Sequence, residues 1–275
     1  MKFNLIFILF NITFLILLAL IVLLSLALTG YYPAGFFWQI NWPFFVIWIL
    51  LLTGFNVFYF SNRRLFSLLE REDWPALVNY LEDRVIQKGS YTSYLVRLLA
   101  YSYLVLSDSA SVLNLENKVA LAKPALLDTH ALIFGTTRIL ARDFSGAVRF
   151  FEARREGAKT AAAQKDWICW YHGFALLLDH RIEQAADNFS LLAQGSKNGI
   201  ITALSSYFLK EFAGSVMPAK ASNFLEVSQK GRERVLMLLP SSEDWNRLAT
   251  RLNSEIHVAV ISKYLKESGY WVFNA

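Results

Sequence analysis

Four histidines, one cysteine and three acid–tryptophan pairs are the residues of this chain whose types could do chemistry. His130, His172, His180 and His257 are scattered, and none belongs to a His-Glu-x-x-His run or a Cys/His cluster that would bind zinc. No phosphate loop, dinucleotide fingerprint or Gly-x-Ser-x-Gly turn occurs. His172 stands beside Gly173 on a predicted packed helix, which points to a hydrogen-bonded structural histidine. Cys169, between Ile168 and Trp170, reads as a small buried hydrophobe, and a single cysteine excludes an intramolecular disulfide. Asp73-Trp74, Asp166-Trp167 and Asp244-Trp245 each suit a helix start, where the acid meets free N–H groups and opposes the dipole. Asn188-Phe189-Ser190 matches a glycosylation sequon, but Phe189 is a predicted core residue. The expectation is a protein without catalytic residues, metal or cofactor.

The elements that must position these residues begin with a membrane signal. The 275 residues are 55% hydrophobic, with mean hydropathy +0.34. The excess is local, because no Asp, Glu, Lys or Arg occurs from Phe3 to Asn62. Residues 4–28 are long and apolar enough to span a bilayer, at ~1.5 Å per residue across ~30 Å. Thr29–Gly35 breaks that run, and residues 43–60 form a second span, with Pro43 suited to a first helical turn. Tyr31, Tyr32, Phe36, Phe37, Trp38 and Trp42 crowd the connection as an aromatic belt. The first span is about twice a signal peptide's usual ~7–15 apolar residues, so a retained hairpin is expected. Lys2, Arg63 and Arg64 flank the hairpin's open end and the connection has no cation, which predicts both termini in the cytoplasm. The rest of the chain holds 26 of the 27 cations and all 22 acids, a weak unpatterned excess that gives no reason to expect nucleic acid.

From Arg63 onward, apolar residues recur at spacings of three and four, with breakers at regular intervals. Short turns between such helices make antiparallel hairpins. Residues 130–152 and 168–190 superimpose at an offset of 38: Gly135 on Gly173, Phe144 on Ile182, Ala147 on Ala185, Phe151 on Phe189. Small residues allow two helices to cross closely, and the aromatic fills the gap to the next hairpin.

This pattern resembles the tetratricopeptide repeat, best over residues 128–196. It departs from that family at Ala131 and Cys169, where the motif has Trp, at Lys159 and Lys197, where it has Pro, and in its period. Tyr91–Leu106 with Ala110–Ala122, and Ile200–Phe212 with Pro218–Leu239, read as further hairpins, closed by one long helix over Ser241–Ser268. The resemblance implies an all-α chain: residues 1–61 as a transmembrane hairpin, then residues 62–275 as an α-solenoid of tetratricopeptide-like hairpins. In the first hairpin, Trp74, Leu77 and Leu81 would lie on the second helix, and Arg63–Arg71 would be the first. No strong helix breaker separates that first helix from the second span, so the two are expected to be continuous.

The resemblance also implies a concave face built from first helices. There the second clear hairpin carries Trp167, Trp170, Phe174, Leu177 and Leu178, and the first carries Thr129, Leu132, Thr136, Ile139 and Leu140. Two readings stand: an apolar groove for a partner's helix or extended segment, or a face packed inside a tightly wound array or against the chain's own C-terminal helix, Trp245–Leu265. The functional expectation is a membrane-anchored scaffold or adaptor that binds a protein partner at the cytoplasmic face of a bacterial inner membrane. The second reading is the same architecture facing the periplasm, as part of an envelope or motor assembly. Periplasmic collar proteins of the spirochaete flagellar motor are one family of that description, though no motif here is specific to them. A helical-domain enzyme is the disfavoured third.

Overall fold

The computed structural model describes residues 3–28, 34–155, 162–213 and 220–274. Among them every regular element is a helix. Tyr31, Tyr32, Lys159 and the Met217-Pro218 breaker lie outside the described residues, as do the side chains of residues 34–40. The chain divides into two compact units, Met1–Tyr80 and Leu81–Ala275.

The first unit holds α1 (Phe3–Leu28) and α2 (Ala34–Glu70). Both are long and apolar enough to cross a membrane. They pair antiparallel along a ladder of rings: Phe7 on Tyr59 at 3.8 Å, Phe10 on Phe55 at 4.0 Å, Phe14 on Trp48 at 4.2 Å, and Phe3 on Phe66 at 5.2 Å. Two polar contacts sit inside this ladder. Asn56 donates its amide to Asn11 Oδ1 at 3.0 Å, and Tyr59 donates its hydroxyl to Asn4. Away from water an unpaired amide is costly, so each Asn needs such a partner.

The stretch of α2 able to cross a membrane begins at Asn41, close to the expected start at 43, but the helix itself starts earlier. It begins at Ala34, so Pro43 lies inside the helix rather than in its first turn, and Trp42 is helical rather than part of a loop. Pro43 leaves one carbonyl without its usual N–H, a loss that apolar spanning helices accommodate by local adjustment. At the other end α2 does not stop at Ser61-Asn62. It continues past Arg63 and Arg64 to Glu70, burying Leu65 while both arginines stay exposed. Arg64 stacks over the Tyr80 ring at 5.5 Å.

What ends α2 recurs along the chain. Glu72 adopts a left-handed backbone, with φ of 53°. The next N–H, that of Asp73, reaches five residues back to the Leu68 carbonyl at 3.2 Å. Asp73 Oδ1 then accepts from Ala76 N at 3.2 Å, capping α3 (Trp74–Glu82). The same turn closes α4 (Ser93–Val105), through Ser107 and Asp108, and caps α5 (Ser109–Ala122). After the short α6 (Ala125–Thr129), it joins α7 (Ala131–Leu140) to α8 (Phe144–Glu152) through Arg142 and Asp143. It joins α9 (Ala162–Leu178) to α10 (Ile182–Gly195) through His180 and Arg181, which has no capping side chain. A left-handed residue after the last helical turn satisfies carbonyls that would otherwise lack partners. The turns fall at residues 72, 107, 142 and 180, at intervals of 35, 35 and 38.

Within the second unit the small residues do what their spacing implies. A Cβ on Gly135 would lie 2.2 Å from the Phe151 ring, and one on Gly173 would lie 2.4 Å from Asn188 Nδ2 and 3.0 Å from the Phe189 ring. Ala147 and Ala185 are buried at the same crossings. Asn188 is buried too and donates to the Cys169 carbonyl at 2.8 Å, so the sequon is a packing residue.

Two further expectations are corrected. Asp166 is inside α9, not at its start, and accepts from Ser196 Oγ at 2.6 Å. After α11 (Gly199–Phe208), a π-helical turn and α12 (Ala221–Leu238), the single closing helix is instead three helices. These are α13 (Ser242–Leu252), α14 (Ile256–Ala259) and α15 (Ser262–Asn274). Both Trp245 and Val258 are buried. In one straight helix they would point ~140° apart at ~100° per residue, too far for one face, and the break at Asn253–Glu255 lets both be buried.

Gly135→Leu should lower stability by about 1–3 kcal/mol or more, because the added side chain meets the Phe151 ring. Gly195→Ala, with open space at its Cβ, should be neutral or slightly stabilising. Thermal unfolding of the full chain in detergent checks both; equal midpoints for Gly135→Leu and wild type would contradict the crossing. Ser107→Gly should gain up to about 1 kcal/mol in the same assay, since glycine carries no Cβ penalty at positive φ.

Candidate docking surface

The first helices of the hairpins share a register. On α9 it holds Trp167, Trp170, Phe174 and Leu178, and 38 residues earlier it holds Thr129, Leu132, Thr136 and Leu140, of which the last three lie on α7. A further 35 residues back lie Tyr94, Arg97, Tyr101 and Val105 on α4, and 35 before those Tyr59, Asn62, Phe66 and Glu70 on α2. Spacings of three and four put each set along one helix face.

The α9 face is not open. Trp167, Trp170 and Phe174 are buried, and Leu177 and Leu178 are half-buried. The His257 ring lies 5.1 Å from Trp167, edge-on, and the Tyr264 ring lies 5.9 Å from Phe174. Phe208, 5.6 Å from Trp170, closes the cluster from α11. The apolar stripe is therefore covered by the chain's own α11 and C-terminal segment, the second of the two readings of this face. The physical reason is size. Three adjacent aromatic side chains hold too much apolar surface to leave in water, and α14 and α15 are within reach.

A polar lock fixes that cover. Tyr171 Oη donates to the His257 carbonyl at 2.8 Å, which uses its only proton. The His257 Nδ1 contact to the same oxygen, at 3.1 Å, therefore requires the Nδ1–H tautomer. Burial pushes the His257 pKa down to about 4 and raises that of Tyr171 well above its ordinary value.

The corresponding face of α2 is also covered, by α1, through the Phe7–Tyr59 and Phe3–Phe66 contacts and the Asn4–Tyr59 hydrogen bond. The face of α4 is different. Tyr94 is 49% exposed, Tyr101 38% and Val105 40%, and on α7 Leu140 is 51% exposed. Tyr101, Val105 and Leu140 face Asn253, Ile256 and Ala259 across a groove of about 390 Å³. Thr136 lies at its floor, buried, its hydroxyl spent on the Leu132 carbonyl at 2.6 Å. The sequence points to the α9 face; the same register on α4 was readable from the 35-residue offset.

His130 Nε2 is 3.0 Å from Ser93 Oγ, and His172 Nδ1 is 3.5 Å from Arg155. Burial lowers both pKa values. Arg138 bridges Glu116 at 2.9 Å and Asp143 at 2.8 Å, tying α5, α7 and the α8 cap together. Among the described residues no three His, Cys, Asp or Glu side chains converge on a possible metal position.

These features define an all-helical protein with two N-terminal helices able to cross a membrane and a groove between its helical hairpins. The family model described as "Uncharacterised Treponema protein" matches residues 111–274, and the chain belongs to that family. An "Uncharacterized protein" of Treponema pallidum (strain Nichols) is 28% identical over 236 residues, covering 84% of this chain and 74% of the relative. The 16% of this chain outside that match is about 44 residues, fewer than the 62 that precede Arg63, so the similarity reaches into α2.

The buried His257 carries a pH prediction. The folded state keeps this ring neutral, whereas in the unfolded chain it protonates near its ordinary value of ~6.5. Its contribution is complete above that value and is lost as pH falls toward 4. His257→Asn should flatten the decline of the unfolding midpoint between about pH 7 and 4.5, leaving the part due to His130 and His172. An unchanged slope would contradict a buried neutral His257.

Proposed function

We propose that this protein is a membrane-anchored, tetratricopeptide-like α-solenoid that holds a protein partner at the cytoplasmic face of a bacterial inner membrane. The observation that carries the reading is the unbroken α2. One helix serves as a candidate membrane span and then ends in the turn that also ends α4, α7 and α9. A protein that needed only to be tethered has no use for a rigid join, because a flexible linker localises equally well. The exposed face on α4 supplies a surface on which a partner can be held. Arg63 and Arg64 at the end of the spans favour the cytoplasmic orientation. The Treponema pallidum relative supports a bacterial membrane.

Two experiments test this. Cysteine at Ser61, in a Cys169→Ser background, should resist a membrane-impermeant maleimide added to spheroplasts and react after lysis; labelling before lysis would move the domain to the periplasm. Gly-Gly-Ser-Gly inserted after Asn62 should leave membrane insertion and the unfolding midpoint unchanged. It should also reduce the yield of partner crosslinks in native membranes, because it frees the orientation of the array without touching a contact inside it. An undiminished yield would reduce the membrane's role to attachment.

A further inference from the structure

Resting on the reading that α1 and α2 span the bilayer, we infer that Arg63 and Arg64 hold anionic lipid headgroups by their phosphates, which fixes the depth and rotation of α2. The two arginines do not follow the apolar hairpin; they lie within its length. Tyr59, one rung below them, stacks on Phe7 at 3.8 Å, and Phe66, one rung above, stacks on Phe3 at 5.2 Å. Phe58 and Phe60, large and exposed, stand just before them on α2. A cation on such a surface meets hydrocarbon on one side, and an anion at the same depth compensates for the lost water. Arg63 and Arg64 are exposed and make no ion pair among the described residues. The first acid after them on α2 is Glu70, six residues past Arg64, or ~9 Å along the axis at ~1.5 Å per residue.

The spacing selects the phosphate layer. From Phe60, the end of the expected span, Arg63 and Arg64 rise ~5–6 Å along the helix. The headgroup region is ~5–7 Å thick on each side, the difference between ~30 Å of hydrocarbon and ~40–45 Å in all. Glu70 rises ~15 Å from Phe60 and clears that region, so the charges of α2 that stand level with the phosphates are both cations. Arginine suits the task by shape. Arg64 lies over the Tyr80 ring at 5.5 Å. Stacking occupies the face of the guanidinium and leaves its N–H edge for an oxyanion, whose two oxygens match the planar fork. Consecutive helical residues point ~100° apart, so Arg63 and Arg64 reach headgroups on two sides of α2 and resist rotation as well as sliding. With neither cation paired, a headgroup of net negative charge complements them, whereas a zwitterionic one brings a cation of its own. The unbroken helix carries that constraint on to Glu70.

The test uses the full chain purified in detergent with equal amounts of phosphatidylglycerol and phosphatidylcholine, and native mass spectrometry counts the lipids that stay bound. Orientation in the membrane does not enter this measurement. The wild-type chain should retain phosphatidylglycerol about tenfold over phosphatidylcholine. Arg63→Gln with Arg64→Gln should bring that ratio near one and change the unfolding midpoint little, because both side chains are exposed. Arg247→Gln with Arg251→Gln, an exposed pair on α13, is the control and should leave the ratio as it was. Excess inorganic phosphate should not displace the bound lipid. Equal retention of the two lipids by the wild type, a ratio that survives the change at Arg63 and Arg64, a ratio lost equally in the control, or displacement by inorganic phosphate would each overturn the proposal and leave the spanning reading intact. Release of the chain from native membranes by alkaline carbonate would remove the spanning reading and the proposal together.

Discussion

The turn at residues 72, 107, 142 and 180 is the constraint on which the rest depends. A left-handed residue stops a helix within one position and sends the next N–H back five residues. At three of the four, an aspartate then starts the following helix at once. No slack remains, so each second helix must fold back on the first. The first helices therefore keep one register along the chain, and their equivalent faces can be compared residue by residue. The close crossings at Gly135 and Gly173 follow from the same geometry, because a hairpin this tight brings the helices near enough to exclude a Cβ.

That register explains why the two ends of the chain look so different yet do similar work. The equivalent face on α2 is covered, at Tyr59 and Phe66, by the apolar α1. The face on α9 carries two tryptophans and a phenylalanine, and the C-terminal segment breaks into three short helices to cover it, locked by Tyr171 and His257. The break in that segment lets Trp245 and Val258 both reach buried positions. The α4 face, mixed in character with two tyrosines, an arginine and a valine, can stay in water without the cost that three clustered aromatics would bring. The Arg138 bridge between Glu116 and Asp143 couples the α8 cap to α5, which ties neighbouring hairpins through a charge as well as through packing.

Much of this was legible in the sequence. The charge-free stretch before Arg63 gives the two apolar helices, and the missing breaker at Ser61-Asn62 gives the continuity of α2. The Gly–Ala–Phe offset of 38 gives the crossings in α7–α10. What was missed has physical causes. The most regular signal is not the small residues but Asp73, Asp108 and Asp143, which recur every 35 residues. Left-handed Glu72, Ser107, Arg142 and His180 hide it, because none is the glycine that usually marks such a turn. Pro43 reads as a helix start by local preference, yet apolar surroundings tolerate it inside α2. Asp166 looks like a cap but serves Ser196, and periodicity could not show whether Trp167, Trp170 and Phe174 face solvent or the chain's own C-terminal segment.

The central claim is that a helix long and apolar enough to cross a membrane runs unbroken into the first of these turns. Spin labels at Val46 and Arg64, both exposed and five helical turns apart, test it most directly in a Cys169→Ser chain reconstituted into liposomes. Pulsed dipolar spectroscopy should give one narrow distance distribution centred near ~27 Å, the length of 18 helical residues. A broad or bimodal distribution would contradict the account, because it would put a hinge at Ser61-Asn62 between the membrane and the first hairpin.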